Sequence, residues 1–427
     1  GGECSYWACM PSKTLLRAGE VLAEARRVPG LGGAVTGPID VDAVLDRRDE
    51  IVSDWDDAPQ VQWVEEHDGV LARGRARFAG ERRVDVTAAD GSVRELVARR
   101  AVVLASGSVP VIPPIEGIDG IQFWTSRDAT SAEEVPGRLL VLGGGVVGVE
   151  LAQAFRRLGA REVTVVEAGP RLVAGLEPFA GDELRDGLES DGITVLLGSK
   201  AVRVERASPR GDVTLTLDDG RTLVGDELLV AVGRRPTTDD LGLETIGLEP
   251  GEPVEVDDRM RAVGVPDGWL FAVGDVNGRA LLTHMGKYQA RIAGDVALHD
   301  SAIDASRGHR AVPRIVFTDP QIASVGLTER EAREQGIRVR TVQYGTGDTS
   351  GAAVHGKGIT GTSQLVVDEE RRVVVGATFV GPGIAELLHS ATIAIVGEVT
   401  LDVLWHAVPS FPTVSELWLR LLEAYGL

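Results

Sequence analysis

Two cysteines stand close together at the start of the chain, and the sequence contains no others. Cys4 and Cys9 are separated by four residues in GGECSYWACMPSK, residues 1–13. A disulfide across so short a loop constrains the unfolded chain little, so stability is a weak reason for the pair. Pro11 and the apolar pattern after it predict a helix that begins just after Cys9, and a helix N-terminus favours a thiolate. The pattern indicates redox chemistry, with one sulfur as a stable thiolate and the other attacking a substrate; two buried structural thiols are the alternative.

Residues 139–169 have the pattern of a strand, a glycine turn, a helix and a second strand. Residues 139–142 are a buried apolar run, a helical period covers about 146–158, and residues 163–167 form the second strand. This order is a βαβ unit. A glycine motif alone is a weak sign of nucleotide binding, but here the flanking elements are predicted as well.

Three glycines in this unit, Gly143, Gly145 and Gly148, have the GxGxxG spacing of a dinucleotide-binding loop. The first would make the tight turn, the second would let the backbone approach a pyrophosphate, and the third would let helix and strand pack closely. The helix N-terminus would then face the phosphates. Glu167 ends the second strand, where a carboxylate binds the ribose 2′-OH and repels a 2′-phosphate. The sequence therefore favours NADH over NADPH.

A third candidate is the pair Gly274 and Asp275, which follows a predicted strand at 270–273 in WLFAVGDV. The order strand, glycine, acid suits a carboxylate that meets a ligand hydroxyl. The same order is also common in ordinary turns, so this motif is weak when it is taken alone.

The rest of the pattern alternates between helices and strands. Further helices are predicted over 13–27, about 40–56, and near 285–298, 383–397 and 413–425. Further strands are predicted near 70–104, around 201–231, at 313–317 and 337–343, and in a hairpin across 364–380. Thr328-x-x-Glu331 and Thr413-x-x-Glu416 both have the capping-box pattern of a helix N-terminus.

Composition limits the classes of partner. The net charge of −20 argues against nucleic acid or an anionic membrane surface, because both bind basic patches. No apolar stretch approaches the length of a membrane span, so we expect a cytoplasmic protein. Two cysteines with no histidine nearby do not make a zinc site, which needs four ligands, and we expect no metal.

Taken together, these motifs resemble those of the flavoprotein disulfide reductases, also called pyridine nucleotide–disulfide oxidoreductases. Dihydrolipoamide dehydrogenase, glutathione reductase and mercuric reductase are members. The resemblance runs in order through GGECSYWACMPSK, ASGSVP, GGGVVGVE, VGRRP, FAVGDV, FTDPQIASVG and FPTVSE. It implies an α/β fold with two Rossmann-like FAD- and NAD(P)-binding domains, the first incomplete, and a C-terminal α+β dimerisation domain. The implied boundaries are 1–125 for the first FAD segment, 126–246 for the NAD domain, 247–311 for the second FAD segment and 312–427 for the dimerisation domain.

The resemblance also implies a role for each candidate residue. Cys4 would be the interchange thiol that meets the substrate, and Cys9 the charge-transfer thiol against the flavin. Lys13 would pair with Glu150 near the flavin, and Asp275 would bind the ribityl chain of FAD. Glycines of the matched motifs are expected to line the cofactors: Gly107, Gly233 and Gly274. Electrons would pass from NADH to FAD, to the Cys4–Cys9 disulfide and on to a small-molecule acceptor, in a homodimer whose FPTVSE segment completes the partner's active site.

The sequence departs from the family at its start and near its end. The family has an FAD-binding βαβ unit with its own GxGxxG before the cysteines. Its absence here implies an N-terminal truncation that would weaken FAD binding. Near the end, Phe411 stands where thiol reductases of the family carry the histidine that protonates the leaving thiol. Glu416, the usual partner of that histidine, is then expected to be a capping-box carboxylate, and His406 could substitute only if the backbone rearranged.

The residues between the cysteines are a third departure. The family commonly has Asn and Gly where this chain has Tyr6 and Ala8. Tyr6 could donate the proton that the missing histidine would supply, or it could pack on the flavin side. Packing is the expected outcome.

These departures decide among the possible functions. Phe411 argues against dihydrolipoamide dehydrogenase, and a mercuric reductase needs C-terminal cysteines beyond Cys4 and Cys9. The leading hypothesis is an NADH-dependent FAD oxidoreductase with a redox-active disulfide and an unidentified acceptor. A reductase of a low-molecular-weight disulfide, a quinone or dye reductase, and a catalytically incompetent truncated homologue are the alternatives.

Overall fold

The computed structural model describes residues 2–427. The helices, α1 to α13, are Cys9–Arg27, Val41–Ile51, Ala58–Glu66, Ser126–Thr130, Val146–Leu158, Pro178–Ser190, Thr283–His299, Ser306–His309, Glu329–Glu334, Ser350–His355, Ile384–Val396, Leu401–Leu404 and Glu416–Tyr425. The strands, β1 to β19, are Arg75–Gly80, Arg83–Thr87, Val93–Val97, Val102–Leu104, Ser108–Pro110, Arg138–Leu142, Glu162–Val166, Thr194–Leu196, Ala201–Arg206, Val213–Leu217, Thr222–Gly225, Glu227–Val230, Arg234–Pro236, Leu270–Ala272, Arg314–Val316, Gln321–Gly326, Val339–Gly345, Thr362–Asp368 and Val373–Gly381.

The chain divides into two compact units, each built from segments distant in sequence. The first contains the described residues up to Cys9, with Asp49–Val111 and Arg234–His309. The second contains Met10–Arg48, Ile112–Gly233 and Arg310–Leu427. This division does not test the domain boundaries implied by the resemblance, which stay predictions.

The first unit holds three small sheets and one apolar core. Strands β1, β2 and β3 form an antiparallel meander, β5 pairs antiparallel with β13, and β4 pairs parallel with β14. Helix α7 packs Ile292 and Val296 into the same core as β14. Phe78 meets Trp269 there edge to face, with ring centroids 6.2 Å apart. Strand β14 and the second half of α7 therefore share one core.

The second unit contains the predicted βαβ. Strands β12, β6, β7 and β8 form a four-stranded parallel sheet in that order, with α5 connecting β6 to β7. Strand β6 is almost wholly buried, as expected of a parallel strand with both faces covered. Strands β9, β10 and β11 form an antiparallel sheet nearby in sequence. The observed β6, α5 and β7 agree with the predicted elements to within one residue.

The last part of the second unit is a five-stranded antiparallel sheet in the order β15, β16, β19, β18, β17. Helices α11 and α13 pack on it in one apolar core that includes Phe379 and Trp418. The predicted hairpin is present as β18 and β19, and the predicted helix near 383–397 is α11. Thr328 and Glu331 form the predicted capping box at the start of α9.

The bounds of two predicted helices differ from the structure. Helix α1 begins at Cys9, which agrees with the predicted start just after Cys9 but lies four residues before the range 13–27. Proline is tolerated in the first turn, because its missing N–H has no helical acceptor there. The helix predicted over about 40–56 ends at Ile51, and α3 was not predicted. Helix α3 has no buried residue, so its sequence lacks the strong apolar stripe that reveals most helices.

A left-handed turn follows α2. Ser53, Asp54 and Trp55 have φ angles of 53°, 51° and 58°. Residues with a Cβ avoid this region, because the Cβ crowds the following carbonyl at a cost of roughly 1–2 kcal/mol per residue. Three in succession mark a segment that its surroundings hold in place.

We expect Asp54→Gly to be more stable than Asp54→Ala by about 1 kcal/mol, because only glycine adopts a positive φ without strain. Both substitutions remove the same carboxylate, so the comparison isolates the Cβ. Urea unfolding of the two variants measures the difference. Equal unfolding midpoints would show that the turn carries no such strain.

Candidate functional site

Cys4 and Cys9 lie in a tight turn that leads into α1. The Trp7 N–H donates to the Glu3 carbonyl at 2.8 Å, and Cys9 is the first residue of the helix. Both cysteines are half-buried. The Cys9 Sγ lies 3.4 Å from the hydroxyl oxygen of Thr283, the first residue of α7. A sulfur at a helix N-terminus with a hydroxyl beside it is placed to be stabilised as a thiolate.

The Tyr6 hydroxyl is bound at the start of α3, and the expected packing of its ring on the flavin side stays a prediction. Its hydroxyl donates to the side-chain oxygen of Gln60 and lies 3.2 Å from the carbonyl oxygen of Asp56. Burial and the nearby carboxylates of Asp57 and Asp56 raise the pKa of Tyr6 above its usual value. A phenol with a raised pKa is a poor proton donor at neutral pH, and this one is bound to the segment before α3.

Trp7 and Trp55 form an aromatic pair at the same turn. Their ring centroids are 5.7 Å apart, and the planes are tilted by 32°. The Trp55 indole N–H also donates to the Tyr6 carbonyl at 3.1 Å. The loop between the cysteines is therefore held from one side by the left-handed turn at 53–55 and the residues that follow it.

Lys13 and Glu150 form the predicted ion pair. The Lys13 Nζ lies 2.6 Å from the Glu150 Oε2, and the Glu150 side chain is 3% exposed. The second oxygen of Glu150 accepts the Phe317 N–H at 2.9 Å. The Lys13 ammonium also lies 5.1 Å from the centre of the Phe317 ring. Glu150 thus joins α1 and α5 to the segment between β15 and β16 of the five-stranded sheet.

The far end of α1 is held by a second ionic group. Arg27 and Arg157 both bind the Asp319 carboxylate, and Arg157 lies 2.7 Å from it. Gln153 accepts the Asp319 N–H at 2.8 Å. Burial alone would raise the pKa of Asp319, but the hydrogen bonds and charges of the two arginines outweigh it and lower that pKa below its usual value.

The three glycines of the GxGxxG loop have the geometry expected of a dinucleotide site. Gly143 has a φ of 106°, and a Cβ on it would lie 2.4 Å from the Ala231 carbonyl oxygen. A Cβ on Gly148 would lie 2.0 Å from the Gly143 carbonyl oxygen, so only glycine permits this close packing. At Gly145 no atom of the described residues lies within 4 Å of a Cβ. The loop is therefore open at the position where a pyrophosphate would approach the start of α5.

Glu167 follows directly after β7 and faces the same loop. Its carboxylate oxygens accept the Gly144 N–H at 2.6 Å and the Gly169 N–H at 2.5 Å. The acid is therefore at the end of the second strand, as predicted, although the strand itself ends one residue earlier.

Asp275 belongs to a polar chain that sequence reasoning missed. The Ser108 hydroxyl donates to Asp275 Oδ2 at 2.5 Å, and Arg234 Nε donates to the same hydroxyl at 2.8 Å. Arg234 also binds the carboxylate of Glu3, the residue before Cys4. Ser108 and Arg234 lie in the ASGSVP and VGRRP motifs, but only the pairing of β5 with β13 brings them together.

The remaining candidate glycines all have positive φ angles: 76° at Gly107, 140° at Gly233 and 77° at Gly274. The Gly274 N–H donates to Gln289 at 2.8 Å, and a Cβ on Gly286 would lie 3.3 Å from the Gly274 Cα. The turn after β14 therefore lies directly against the first turn of α7.

The C-terminal motif differs from its prediction. Helix α13 begins at Glu416, so Thr413 and Glu416 do not form a capping box. The buried Glu416 carboxylate instead accepts the Ser350 N–H at 2.9 Å, at the start of α10, and binds Arg420 at 2.7 Å. Sequence spacing could not reveal this contact, because Ser350 and Glu416 are 66 residues apart. Phe411 is 75% exposed.

His406, the other residue considered as an acid, is exposed in the turn after α12. Its N–H donates to the Val403 carbonyl at 3.0 Å. This placement gives it a local structural contact. Its role as an acid stays a prediction.

Comparison with known proteins decides the family. The sequence profile described as pyridine nucleotide-disulphide oxidoreductase matches residues 1–293, and the profile of the dimerisation domain of that family matches residues 312–421. The chain belongs to this family. The predicted family and the α/β fold class, with an FAD- and NAD-binding region and a dimerisation domain, are confirmed.

Curated relatives of this pyridine nucleotide-disulphide oxidoreductase match nearly the whole length of the chain. The mercuric reductase of Lysinibacillus sphaericus is 31% identical over 97% of this chain and 74% of that protein. The dihydrolipoyl dehydrogenase of Thermus scotoductus is 34% identical over 99% of this chain and 90% of that protein. The protein is therefore an FAD-dependent oxidoreductase that uses a nicotinamide nucleotide.

Solved structures of family members have the same fold. LpdA from Mycobacterium tuberculosis superposes with a TM-score of 0.85 at 27% identity, over 100% of this chain and 92% of that chain. The HOCl-induced flavoprotein disulfide reductase RclA from Escherichia coli has a TM-score of 0.84 at 23% identity, over 99% of this chain and 91% of that chain. Among residues 2–427 of this oxidoreductase, no helix is long and apolar enough to cross a membrane.

The Asp319 group gives a prediction about acid stability. Its pKa is lower in the folded protein than in the unfolded chain, so its contribution is present above the usual carboxyl pKa and is lost as the pH falls through the lowered value. We expect Asp319→Asn to cost about 3 kcal/mol at pH 7, since it removes one partner of a buried ionic group.

Urea unfolding at pH 7 and pH 3 measures this contribution, and the loss should be smaller at pH 3. Asp182→Asn is the matched control, because that side chain is 54% exposed and lies 4.0 Å from its arginine. A loss of the same size at both pH values would contradict the electrostatic explanation.

Proposed function

We propose that the protein carries electrons from NADH through FAD to a redox-active Cys4–Cys9 disulfide, and on to a small-molecule acceptor. The observation that carries the proposal is the placement of Cys9 at the N-terminus of α1 with the Thr283 hydroxyl 3.4 Å away. When bound, the flavin and nicotinamide supply hydride transfer. In the balanced reaction, NADH and one proton reduce the disulfide to two thiols and NAD⁺ leaves.

The two cysteines would divide the work. Cys9 would remain as a thiolate, because the helix N-terminus and the Thr283 hydroxyl stabilise its charge. Cys4 would then attack the acceptor. Lys13 would hold its ammonium in one orientation through the buried carboxylate of Glu150, which the Phe317 N–H fixes in turn.

Glu167 supports the choice of NADH. Its carboxylate is directed at the glycine loop, next to the open position beside Gly145. A ribose 2′-OH can donate to a carboxylate at this position, whereas a 2′-phosphate would be repelled by it. The ribose hydroxyl of a bound nucleotide would compete with the Gly144 N–H for the Glu167 carboxylate.

Phe411 bears on the acceptor. Thiol–disulfide reduction needs a proton for the leaving thiol, and a phenyl ring cannot supply one. We therefore favour an acceptor that is reduced without help from an imidazole, such as a quinone or a dye. A disulfide acceptor, suggested by the relatedness to dihydrolipoyl dehydrogenase, and mercuric ion, suggested by the relatedness to mercuric reductase, belong in the same screen.

A homodimer is part of the proposal. The match to the dimerisation domain supports it, and so do large apolar side chains left exposed in α12 and between α12 and α13. Val408 is 85% exposed, Phe411 75% and Val403 59%. Exposed apolar groups that lie close together in sequence are typical of a surface covered by a partner. A cytoplasmic location is also part of the proposal.

Visible spectra test the electron path. The protein is loaded with FAD, made anaerobic and titrated with NADH. We expect a flavin spectrum that gains a long-wavelength charge-transfer band on reduction, because a Cys9 thiolate would lie against the flavin. Cys9→Ser should abolish the band, whereas Cys4→Ser should show the band even before NADH is added. A band that survives Cys9→Ser would refute the assigned thiol, and bound flavin that gives no such band on reduction would refute the proposed contact between thiolate and flavin.

Glu167→Ala tests the nucleotide preference. Removing the carboxylate removes both the acceptor for the 2′-OH and the repulsion of a 2′-phosphate. We expect kcat/KM for NADH to fall about tenfold or more, by the loss of a hydrogen bond to a charged group, while that for NADPH rises. Anaerobic flavin reduction by each nucleotide gives the ratio. Glu162→Ala, at the exposed start of β7, is the control. An unchanged ratio would remove Glu167 from the proposal.

A further inference from the structure

The left-handed turn at Ser53, Asp54 and Trp55 contacts the loop between the two cysteines. Strain of this kind persists where surrounding contacts hold a segment, and it clusters at functional sites. Trp55 is the residue of this turn whose side chain contacts the loop between the cysteines. Its ring packs on Trp7, and its indole N–H donates to the Tyr6 carbonyl. Both contacts fall between Cys4 and Cys9.

A second contact comes from the start of α3. Gln60 accepts the Tyr6 hydroxyl, and the Asp56 carbonyl lies 3.2 Å from the same hydroxyl. The loop also holds itself through the hydrogen bond from the Trp7 N–H to the Glu3 carbonyl. The residues between the two sulfurs are thus fixed by a ring, by hydrogen bonds from outside the loop, and by one hydrogen bond within it.

We infer that Trp55 is a positioning residue that sets the redox equilibrium of the Cys4–Cys9 pair. The inference rests on the proposed function, since it needs the two cysteines to interconvert between disulfide and dithiol. A loop held in one conformation fixes the separation of the two reduced sulfurs and with it their effective concentration. The effective concentration sets the balance between disulfide and dithiol, so the contacts of Trp55 and Gln60 with the loop, here called the clamp, set the redox potential of the pair.

The equilibrium can be measured without cofactor. In dithiothreitol buffers, the two thiols of the reagent become a cyclic disulfide, the Cys4–Cys9 bond breaks, and its sulfurs take up two electrons and two protons. The full chain is equilibrated at a series of reduced-to-oxidised ratios, or with glutathione if reduction is complete in dithiothreitol. Free thiols are then alkylated, and mass spectrometry gives the oxidised fraction.

Trp55→Ala is expected to change the equilibrium constant for disulfide formation about tenfold. This corresponds to a shift of about 30 mV in the potential. Trp55→Phe keeps a ring against Trp7 but has no N–H, so its value should lie between those of the wild type and Trp55→Ala. Gln60→Ala changes an exposed residue and should shift the potential in the same direction by less, which keeps the inference testable if Trp55→Ala does not fold.

Trp63→Ala is the matched control. Trp63 lies on α3 in the same unit and is 60% exposed, and its ring stacks on His67 at 4.4 Å. The redox potential of the Trp63→Ala variant should equal that of the wild type. If Trp55→Ala and Trp63→Ala have equal potentials and the wild type forms the disulfide, the inference about Trp55 is overturned but the proposed function is not. A wild-type chain that forms no intramolecular disulfide in any buffer would instead overturn the proposed function.

Discussion

The buried carboxylate of Glu150 is the contact on which the second unit depends. A charge with 3% of its side chain exposed is stable only if its oxygens are paired, and Lys13 and the Phe317 N–H pair both. One oxygen holds Lys13 near the start of α1, and the other holds the segment between β15 and β16 of the five-stranded sheet. Glu150 itself lies one turn into α5, so the same helix that presents the glycine loop also carries this contact.

Two ionic contacts fix α1 near both ends. Lys13, one turn into the helix, is held at Glu150, and the last residue, Arg27, is held at Asp319. A helix dipole acts on a neighbouring charge only within the first turn. The proposed role of Cys9 as a thiolate uses that turn, and the contacts of Trp55 would fix the geometry of the loop before it.

Two residues near the end of the chain bear on the proposed acceptor. The Glu416 carboxylate binds the start of α10 and Arg420, and the phenyl ring of Phe411 is exposed. A phenyl ring cannot protonate a leaving thiol. The proposal therefore favours an acceptor whose reduction needs no such proton.

The sequence alone determined the features that depend on local order. The GxGxxG spacing, the βαβ period and the acid after the second strand follow from residues within a short segment, and Gly143, Gly145 and Gly148 have the geometry that this spacing predicts. The Lys13–Glu150 pair was available only through the resemblance, because the two residues are 137 positions apart.

Only the tertiary structure decided which distant groups meet. Thr283 reaches Cys9 across 274 positions, Trp55 reaches the cysteine loop across 49, and Arg234 reaches Ser108 across 126. No periodicity encodes such contacts, since they arise from how strands pair and helices pack. The same reason explains the error at Glu416: its sequence spacing fits a capping box, but a buried carboxylate binds the unpaired N–H that packing brings nearest, and here that donor belongs to another helix.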